Sequence, residues 1–347
     1  MKILFIVPNL NKKGGVANYY RIMKTYLSND IRYYYRSKIE GKFKFLNIII
    51  DSIHINRSIK KDIGSVVINH SFSIPSFIRD CFFILLIRFK NKPFIVFFHG
   101  WNNWLESKID ANRFFHFLLR ITILKANKII VLASSFRKAL KRWGYQGEVI
   151  LETVATKDIP VNYYLICRKT DKIIKVIFIS NIIEEKGIFI ALDAVKRLQY
   201  HYDISLFVCG DGIDLERVKK YVFLHDIRSI EFLGYIKGKR RQEIFRKSDI
   251  HLLPTYCSEG MPTVVLEAMA FGLPVITRSV GGVLDFFEDG KMGFITESKT
   301  PKVFAELIEK LIKNPVLRRT ISEYNYQYAK EHFFVSKVAK RIGGIWR

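Results

Sequence analysis

The chain of 347 residues is long enough for two domains of ordinary size, and its 49% apolar content can fill their cores. Its four cysteines are scattered, its histidines form no His-Glu-x-x-His motif and no Asp-x-Asp occurs, which argues against a zinc ribbon and a metal–diphosphate site. Scattered cysteines are typical of reduced, cytoplasmic proteins, and no apolar run reaches the roughly 20 residues of a membrane-spanning helix.

The formal net charge of +25 is unevenly distributed along the chain. Residues 1–170 hold 29 Lys and Arg against 10 Asp and Glu, whereas residues 171–347 hold 28 against 22. The basic first half predicts an anionic partner, for which nucleic acid, an anionic membrane surface and a phosphorylated lipid all qualify. Biased codon usage that enriches Lys, Ile, Asn and Phe is an alternative source of this charge.

The first half opens with an apolar run at residues 2–7, a glycine-containing loop and a helical pattern at 16–27. The run is too short for a signal peptide, and strand, loop and helix together predict a Rossmann-like domain, although the loop is not Gly-x-Gly-x-x-Gly. The alternation that follows predicts a parallel sheet with helices on both faces. Further strands are predicted at 65–69, 93–99, 128–132 and 148–151, with helices that include 75–90 and 109–125.

The predicted helix 75–90 is strongly apolar and contains or borders Arg79, Arg88 and Lys90. This composition suits a helix at a membrane interface. Packing in the core is the commoner use of such a run, and it is the interpretation that we favour here.

His99 ends the predicted strand 93–99. In doubly wound sheets, ligands gather beyond the carboxyl ends of the strands, so His99 is a candidate binding or catalytic residue. A structural histidine held by its neighbours is the alternative interpretation.

From residue 152 to 171 the pattern breaks up, which predicts a link between two domains. The alternation then resumes and predicts a second Rossmann-like domain, followed by helices to the end of the chain. We assign residues 1–165 and 166–330 to the two domains and 331–347 to a last segment. In the second half, strands are predicted at 173–180, 204–209, 229–233 and 250–253, and helices at 188–198, 215–225, 242–247, 301–313, 315–331 and 335–342.

Residues 258–276 read SEGMPTVVLEAMAFGLPVI and predict a loop, a buried helix and a strand. Pro262 suits the first turn of the helix and Gly272 its end. The helix start offers unpaired N–H groups and a positive dipole end, which suit a phosphate. Glu259 in the loop and Glu267 in the helix can then hold the sugar and the ribose of a nucleotide sugar. A solvated Glu259 and an ordinary Glu267–lysine ion pair are the alternative.

This stretch, with Asp285, Gly290 and Gly293 after it, resembles the C-terminal signature of the retaining family 4 glycosyltransferases, which carry the pattern Glu-x7-Glu. The resemblance implies the α/β fold called GT-B, in which two Rossmann-like domains face each other across a cleft. In that fold the last helix crosses back onto the N-terminal domain. We therefore expect residues 331–347 to make this crossing.

The resemblance also implies roles for individual residues. Glu259, His99 and Lys186 are the expected catalytic residues, with Glu259 and His99 at the transferred sugar and Lys186 at the leaving diphosphate. Asn181 departs from the family, which has arginine there, and Arg278 is considered as a substitute cation. The expected donor-binding residues are Gly14, Gly15, Asn181, Lys186, Tyr235, Glu259, Gly260, Met261, Pro262, Thr263 and Glu267.

The implied activity is transfer of a hexose-type sugar from a UDP- or GDP-sugar with retention, without a metal or other cofactor. The implied acceptor is a saccharide on polyprenyl diphosphate in bacterial surface polysaccharide synthesis, reached at the inner face of the membrane through the basic first domain. A nucleotide-sugar hydrolase or epimerase of the same fold is an alternative, since paired carboxylates also serve glycoside hydrolysis. A nucleic-acid-binding protein is another, because residues 31–38 interleave aromatic and basic side chains. No recognised nucleic-acid-binding motif accompanies them, so we expect no nucleic acid partner.

Overall fold

The computed structural model of the protein describes residues 1–11, 14–28, 30–37, 46–160 and 173–346. Its strands are β1 (Lys2–Val7), β2 (Ile31–Tyr35), β3 (Ile63–His70), β4 (Phe94–Phe98), β5 (Lys128–Val131), β6 (Glu148–Leu151), β7 (Ile174–Ile179), β8 (Ile204–Cys209), β9 (Ile230–Gly234), β10 (Ile250–Leu253), β11 (Val275–Arg278) and β12 (Gly293–Thr296). Within these described ranges they form two six-stranded parallel sheets, with the orders β2-β1-β3-β4-β5-β6 and β12-β11-β10-β7-β8-β9.

Helices connect the strands and pack against the sheets. In the first half they are α1 (Gly15–Met23), α2 (Leu46–Ser58), α3 (Ile74–Phe89), α4 (Asn103–Ala111), α5 (Arg113–Ile121) and α6 (Ser134–Arg142). In the second half they are α7 (Ile188–Leu198), α8 (Leu215–Leu224), α9 (Gly238–Lys247), α10 (Thr263–Ala270), α11 (Pro301–Lys313), α12 (Pro315–His332) and α13 (Val335–Ile345).

The central strands are continuous apolar runs, as expected where helices cover both faces of a parallel sheet. β4 reads FIVFF and β10 reads IHLL, and all of their residues are buried. The predicted α/β fold with two Rossmann-like domains is therefore confirmed.

The single helix predicted at residues 109–125 is wrong. Asn112 has an extended backbone, and its side chain accepts hydrogen bonds from the backbone N–H groups of Phe114 and Phe115, at 2.9 and 3.3 Å. Asn112 thus ends α4 and caps α5. The apolar periodicity continues across this break and hides it, although asparagine is among the residues that helix N-caps prefer.

The sequence pattern does not reveal β2, whose residues fall in the aromatic and basic stretch 31–38. β2 lies at the edge of the first sheet beside β1. Tyr34 donates its hydroxyl to Asp51 Oδ1 at 2.7 Å, so this tyrosine bonds within the domain. Lys38, the last residue of the stretch, lies outside the described residues.

The chain passes between the domains and returns at its end. The predicted domain boundary falls within residues 161–172, which lie outside the described part of the chain. On the return, Thr156 N donates to Phe333 O at 2.8 Å. After α13, Trp346 packs against Phe5 of β1 with ring centroids 5.1 Å apart. The predicted crossing of the C-terminal helix is therefore confirmed.

His251 lies in β10 between Val275 of β11 and Ile177 of β7. It is fully buried, and neither ring nitrogen has a hydrogen-bond partner within the described ranges. Burial, with a smaller contribution from the charge of Arg241, lowers its pKa to about 3. The ring is therefore neutral and serves as an apolar filler of the sheet.

We expect His251 to make stability fall as the pH falls below about 6.5, because the unfolded chain then binds a proton that the folded chain excludes. Its contribution approaches about 1.4 kcal/mol per pH unit between roughly pH 6 and 4 and is complete near its folded pKa. Urea denaturation across this range should show that His251→Leu removes this part of the slope. The same change at the exposed His54 is the control. An unchanged slope in His251→Leu would contradict a neutral buried ring.

Candidate active site

Two loops of the second domain lie against each other at the carboxyl ends of β7 and β10. Residues 254–262, here called the glutamate loop, donate the backbone N–H groups of Tyr256 and Cys257 to the carbonyl of Glu185, at 2.9 and 3.1 Å. Gly187 permits this approach, because it has a φ of 82° and a Cβ there would lie 2.3 Å from the backbone of the glutamate loop. Backbone hydrogen bonds thus fix the two loops relative to each other.

This packing brings together Lys186 and Glu259, two of the predicted catalytic residues. The Lys186 ammonium forms an ion pair with the Glu259 carboxylate, and the two side chains are 15% and 17% exposed. Charges so far out of water need partners, so removing either one is costly. A phosphate that approached Lys186 would replace Glu259 as its partner and leave the carboxylate to accept hydrogen bonds from hydroxyl groups.

Glu267 lies in the second turn of α10, among buried apolar residues. Its carboxylate pairs with the guanidinium of Arg241 in α9, and both side chains are partly buried. This is the ion-pair alternative left open for Glu267, with arginine in place of lysine. The Nε of Arg241 is buried and has no hydrogen-bond partner among the described residues, so this donor remains for a further acceptor.

Arg241 is a site residue that the sequence analysis misses. Its signal is the basic run KGKRR at residues 237–241, which begins two positions after Tyr235, one of the expected donor-binding residues. Because this run follows the carboxyl end of β9, it lies at the edge of the sheet where ligands gather.

The role of Arg278 as a substitute for the arginine missing at Asn181 stays a prediction. Arg278 donates to the carbonyls of Ser298 and Glu297, at 3.0 and 2.7 Å, and so holds the loop after β12. Asn181 itself is exposed in the loop after β7. Besides Lys186, Arg241 supplies a cation to the site through its ion pair with Glu267.

The other predicted donor-binding residues lie in loops at the carboxyl ends of strands. In the second domain, Tyr235 follows β9 and is half-exposed, and the glutamate loop leads into Thr263, the first residue of α10. In the first domain, Gly14 has a φ of 145° and precedes α1. A Cβ on Gly14 or Gly15 would meet no atom of the described residues within 4 Å. Donor binding by these residues stays a prediction, as it does for Gly260, Met261 and Pro262.

His99 follows β4 at the carboxyl edge of the first sheet. Its Nε2 lies 2.8 Å from Asn69 Oδ1, and the Nδ2 of that amide donates to a backbone carbonyl. Although the residue is partly exposed, Tyr19 and Phe97 enclose its ring, and this burial, with the charge of Arg36, lowers its pKa to about 3. His99 is therefore neutral with its hydrogen on Nε2, and Nδ1 can accept a hydrogen bond. Contact with a sugar stays a prediction.

The two domains touch beside the glutamate loop. A Cβ on Gly260 would lie 2.8 Å from His99 O, so only glycine fits there. Ser258 donates its hydroxyl to Trp101 O at 3.0 Å. The loop that carries Glu259 is thus in direct contact with the end of the strand that carries His99.

A second contact between the domains involves the residues that follow β11. Asp285 accepts hydrogen bonds from Ser134 N at 2.6 Å and from Ser134 Oγ at 2.5 Å. A Cβ on Gly282 would lie 2.0 Å from Leu132 O. Asp285 of the sequence signature therefore joins the two domains at the start of α6.

The described site consists of two carboxylates, two cations, a neutral histidine and the backbone at the starts of two helices. Among the described residues, no group of three or more His, Cys, Asp and Glu side chains is placed to hold a metal ion. Within the same ranges, no helix has the length and apolar character needed to cross a membrane.

Comparison with known proteins shows that residues 168–328 match the family model described as glycosyl transferases group 1. An uncharacterized glycosyltransferase of Methanocaldococcus jannaschii is 25% identical over 290 residues, which are 84% of this chain and 78% of that protein. The capsular polysaccharide biosynthesis glycosyltransferase CapM of Staphylococcus aureus is 30% identical over 165 residues, 46% of this chain and 42% of that protein. The solved structure of HepE of Anabaena with UDP-glucose has a TM-score of 0.75, 16% identity and 99% coverage of both chains. These likenesses confirm the GT-B fold and the glycosyltransferase class.

We expect Lys186 and Glu259 to be energetically coupled in the ligand-free protein. A double-mutant cycle with Lys186→Met and Glu259→Gln should give a coupling of about 1–2 kcal/mol in urea denaturation, because water hardly screens the pair. The largely exposed pair Glu216–Lys219 is the matched control and should couple by less than about 0.5 kcal/mol. Equal coupling in the two pairs would show that the site pair is not preformed.

Proposed function

We propose that this glycosyltransferase, whose residues 168–328 match the glycosyl transferases group 1 model, moves a hexose-type sugar from a UDP- or GDP-sugar to a lipid-linked saccharide. The transfer retains the anomeric configuration and uses no metal. CapM, named for capsular polysaccharide synthesis, supports an acceptor in surface polysaccharide assembly. HepE, solved with UDP-glucose, supports a nucleotide-sugar donor. The enzyme works at the inner face of the membrane, where lipid-linked saccharides are extended.

The observation that carries this proposal is the pair of carboxylate–cation contacts around the start of α10, Lys186–Glu259 and Arg241–Glu267. A diphosphate needs cations and N–H donors, whereas a sugar and a ribose need acceptors for their hydroxyl groups. The site holds both kinds of group in alternation. A nucleotide sugar fits this order if the diphosphate takes over the cations and the sugar and ribose take over Glu259 and Glu267.

In the proposed reaction, the bond between the anomeric carbon and the leaving phosphate oxygen breaks, and the acceptor oxygen bonds to that carbon on the same face. The acceptor proton passes to the leaving phosphate, so no side-chain base is needed. Lys186, Arg241 and the N–H groups at the start of α10 stabilise the charge that develops on the diphosphate. The contacts between the domains exclude water and so limit hydrolysis of the donor.

His99 contributes to the proposed reaction as a neutral group. With hydrogen on Nε2, its Nδ1 accepts a hydrogen bond from a hydroxyl of the transferred sugar and does not add positive charge beside the reacting carbon. Asn69 fixes the tautomer from the opposite side of the ring.

The family match favours transfer over the alternatives drawn from the sequence. Glu267 of α10 pairs with Arg241 of α9, and this position suits ligand binding better than hydrolysis across a bond. The tyrosine-rich stretch that suggested nucleic acid forms β2 within the first domain.

The donor is tested by thermal shift against UDP-, GDP-, ADP- and dTDP-sugars, with and without EDTA. We expect one UDP- or GDP-sugar to raise the melting temperature equally in both conditions, because cations of the protein hold the diphosphate. NMR of the product should then show the anomeric configuration of the donor. An inverted product, or a shift that EDTA abolishes, would contradict the proposed mechanism.

Variants of the two glutamates separate binding from turnover. Glu267→Ala should weaken donor binding at least about 100-fold, since charge-assisted hydrogen bonds to the ribose are lost. Glu259→Ala should lower kcat by roughly 100-fold with a smaller effect on the folding free energy. Glu216→Ala, on an exposed helix surface, is the control for both measurements. Full activity in both glutamate variants would show that the site lies elsewhere.

A further inference from the structure

Helix α3 is apolar on both sides. The core packing favoured for this helix accounts for one side, where Phe77, Phe83, Ile84 and Ile87 are buried. On the other side, the exposed positions between residues 76 and 87 are Ile78, Phe82 and Leu85, and Phe89 follows one turn later. These four residues have helical spacing and form one stripe. A surface helix of a globular domain normally has polar residues there.

The neighbouring helices extend this stripe into a surface. α5 lies alongside α3, because Arg88 Nη1 donates to Ile121 O at 2.5 Å and the rings of Phe77 and Phe115 are 6.1 Å apart. α2 packs against α3 as well. We call the exposed apolar surface of the three helices the aromatic face; it consists of Ile49 and Ile53 of α2, Ile78, Phe82, Leu85 and Phe89 of α3, and Phe114 and Phe117 of α5.

The phenylalanines of this face are well exposed: Phe82 by 54%, Phe89 by 84%, Phe114 by 67% and Phe117 by 58%. Apolar side chains exposed as a group on helices that pack together mark interaction sites, whereas singly scattered ones are ordinary solvated surface. Phenylalanine is also a side chain that interfacial helices insert below lipid headgroups.

Cations border the aromatic face and acids are missing from it. Exposed arginines or lysines stand at the ends and edges of the three helices, at Arg57, Arg88, Lys90, Arg113, Arg120 and Lys125. The acidic residues of these helices are Asp51 in α2 and Asp80 in α3, and both are buried. Beside α5, an open cavity of about 350 Å³ is lined in part by His116, Arg120 and Lys125. An anionic headgroup suits this cavity by size and charge.

We infer that the aromatic face is a membrane-docking surface that inserts its phenylalanines into a lipid layer rich in anionic headgroups, while the bordering cations bind those headgroups. Apolar insertion and charge attraction act together in such binding. A second copy of this chain is a poorer occupant, because pairing two such faces would bring cations against cations with no exposed acid on these helices. The inference deepens the proposed function, which requires contact with a lipid-borne acceptor, but it is tested without turnover.

The test is cosedimentation of the full chain with vesicles of phosphatidylcholine, with or without phosphatidylglycerol. The triple variant F82S/F89S/F117S should lower partitioning onto the anionic vesicles at least about tenfold. Phe223→Ser in α8 is the matched control, since Phe223 is 84% exposed in the second domain, and it should bind as the unmodified chain does. The variant R113Q/R120Q/K125Q should weaken binding to vesicles that contain phosphatidylglycerol and leave binding to pure phosphatidylcholine unchanged. The control variant R246Q/K247Q in α9 should weaken binding to neither kind of vesicle. Circular dichroism and melting temperature verify that each variant is folded.

Three results would overturn the inference. The first is that the triple phenylalanine variant binds vesicles as tightly as the unmodified chain does. The second is that the unmodified chain binds neither kind of vesicle. The third is that the triple variant converts a dimer to a monomer without changing vesicle binding. The thermal shift with nucleotide sugars is measured on the same proteins. Vesicle binding without a thermal shift by any nucleotide sugar would refute the proposed function and support the docking surface. A thermal shift by a nucleotide sugar without vesicle binding would support the proposed function and refute the docking surface.

Discussion

The site depends on the ion pair between Lys186 and Glu259, which the packing of two loops imposes. Neither loop would place its charged residue there alone, because each charge is largely out of water and needs the other. Gly187 is the backbone element that allows the loops to approach. The fold therefore couples the adjacent residues Lys186 and Gly187 with Glu259, 73 positions further along the chain, in one arrangement.

The second pair, Arg241–Glu267, repeats this arrangement within the same domain. In both pairs, a cation holds a carboxylate, and both side chains are largely out of water. In the proposed function, a diphosphate that binds the cations frees the carboxylates for hydroxyl groups, so charge-assisted hydrogen bonds would replace each lost ion pair. The protein thereby keeps its buried charges compensated both before and after the donor binds, and its side chains need little rearrangement. Such preorganisation lowers the cost of stabilising charge at the diphosphate.

The sequence alone predicts much of this arrangement, for identifiable reasons. Strands such as β4 and β10 are short apolar runs between polar loops, so the change from polar to apolar residues locates them. Helix α10 is located by Pro262 at its start and Gly272 after its end. The break at Asn112 is hidden, because a capping asparagine is a single polar residue in a continuing apolar pattern. Arg241 is hidden for a different reason: its partner Glu267 lies 26 positions away in the chain, and only the tertiary fold brings the two side chains together.

The contacts that join the domains beside the glutamate loop consist of backbone and small polar groups, namely Gly260 against His99 O and the hydroxyl of Ser258 on Trp101 O. Separating such surfaces uncovers little apolar area, and water replaces each hydrogen bond, so each contact resists opening by only about 1 kcal/mol. The crossing of α13 meanwhile keeps the domains tethered at the opposite end of the chain. Hinge motions between lobes that are joined in this way occur on the microsecond-to-millisecond timescale. In the proposed function, such a motion would admit a donor and release a nucleotide without unfolding any element.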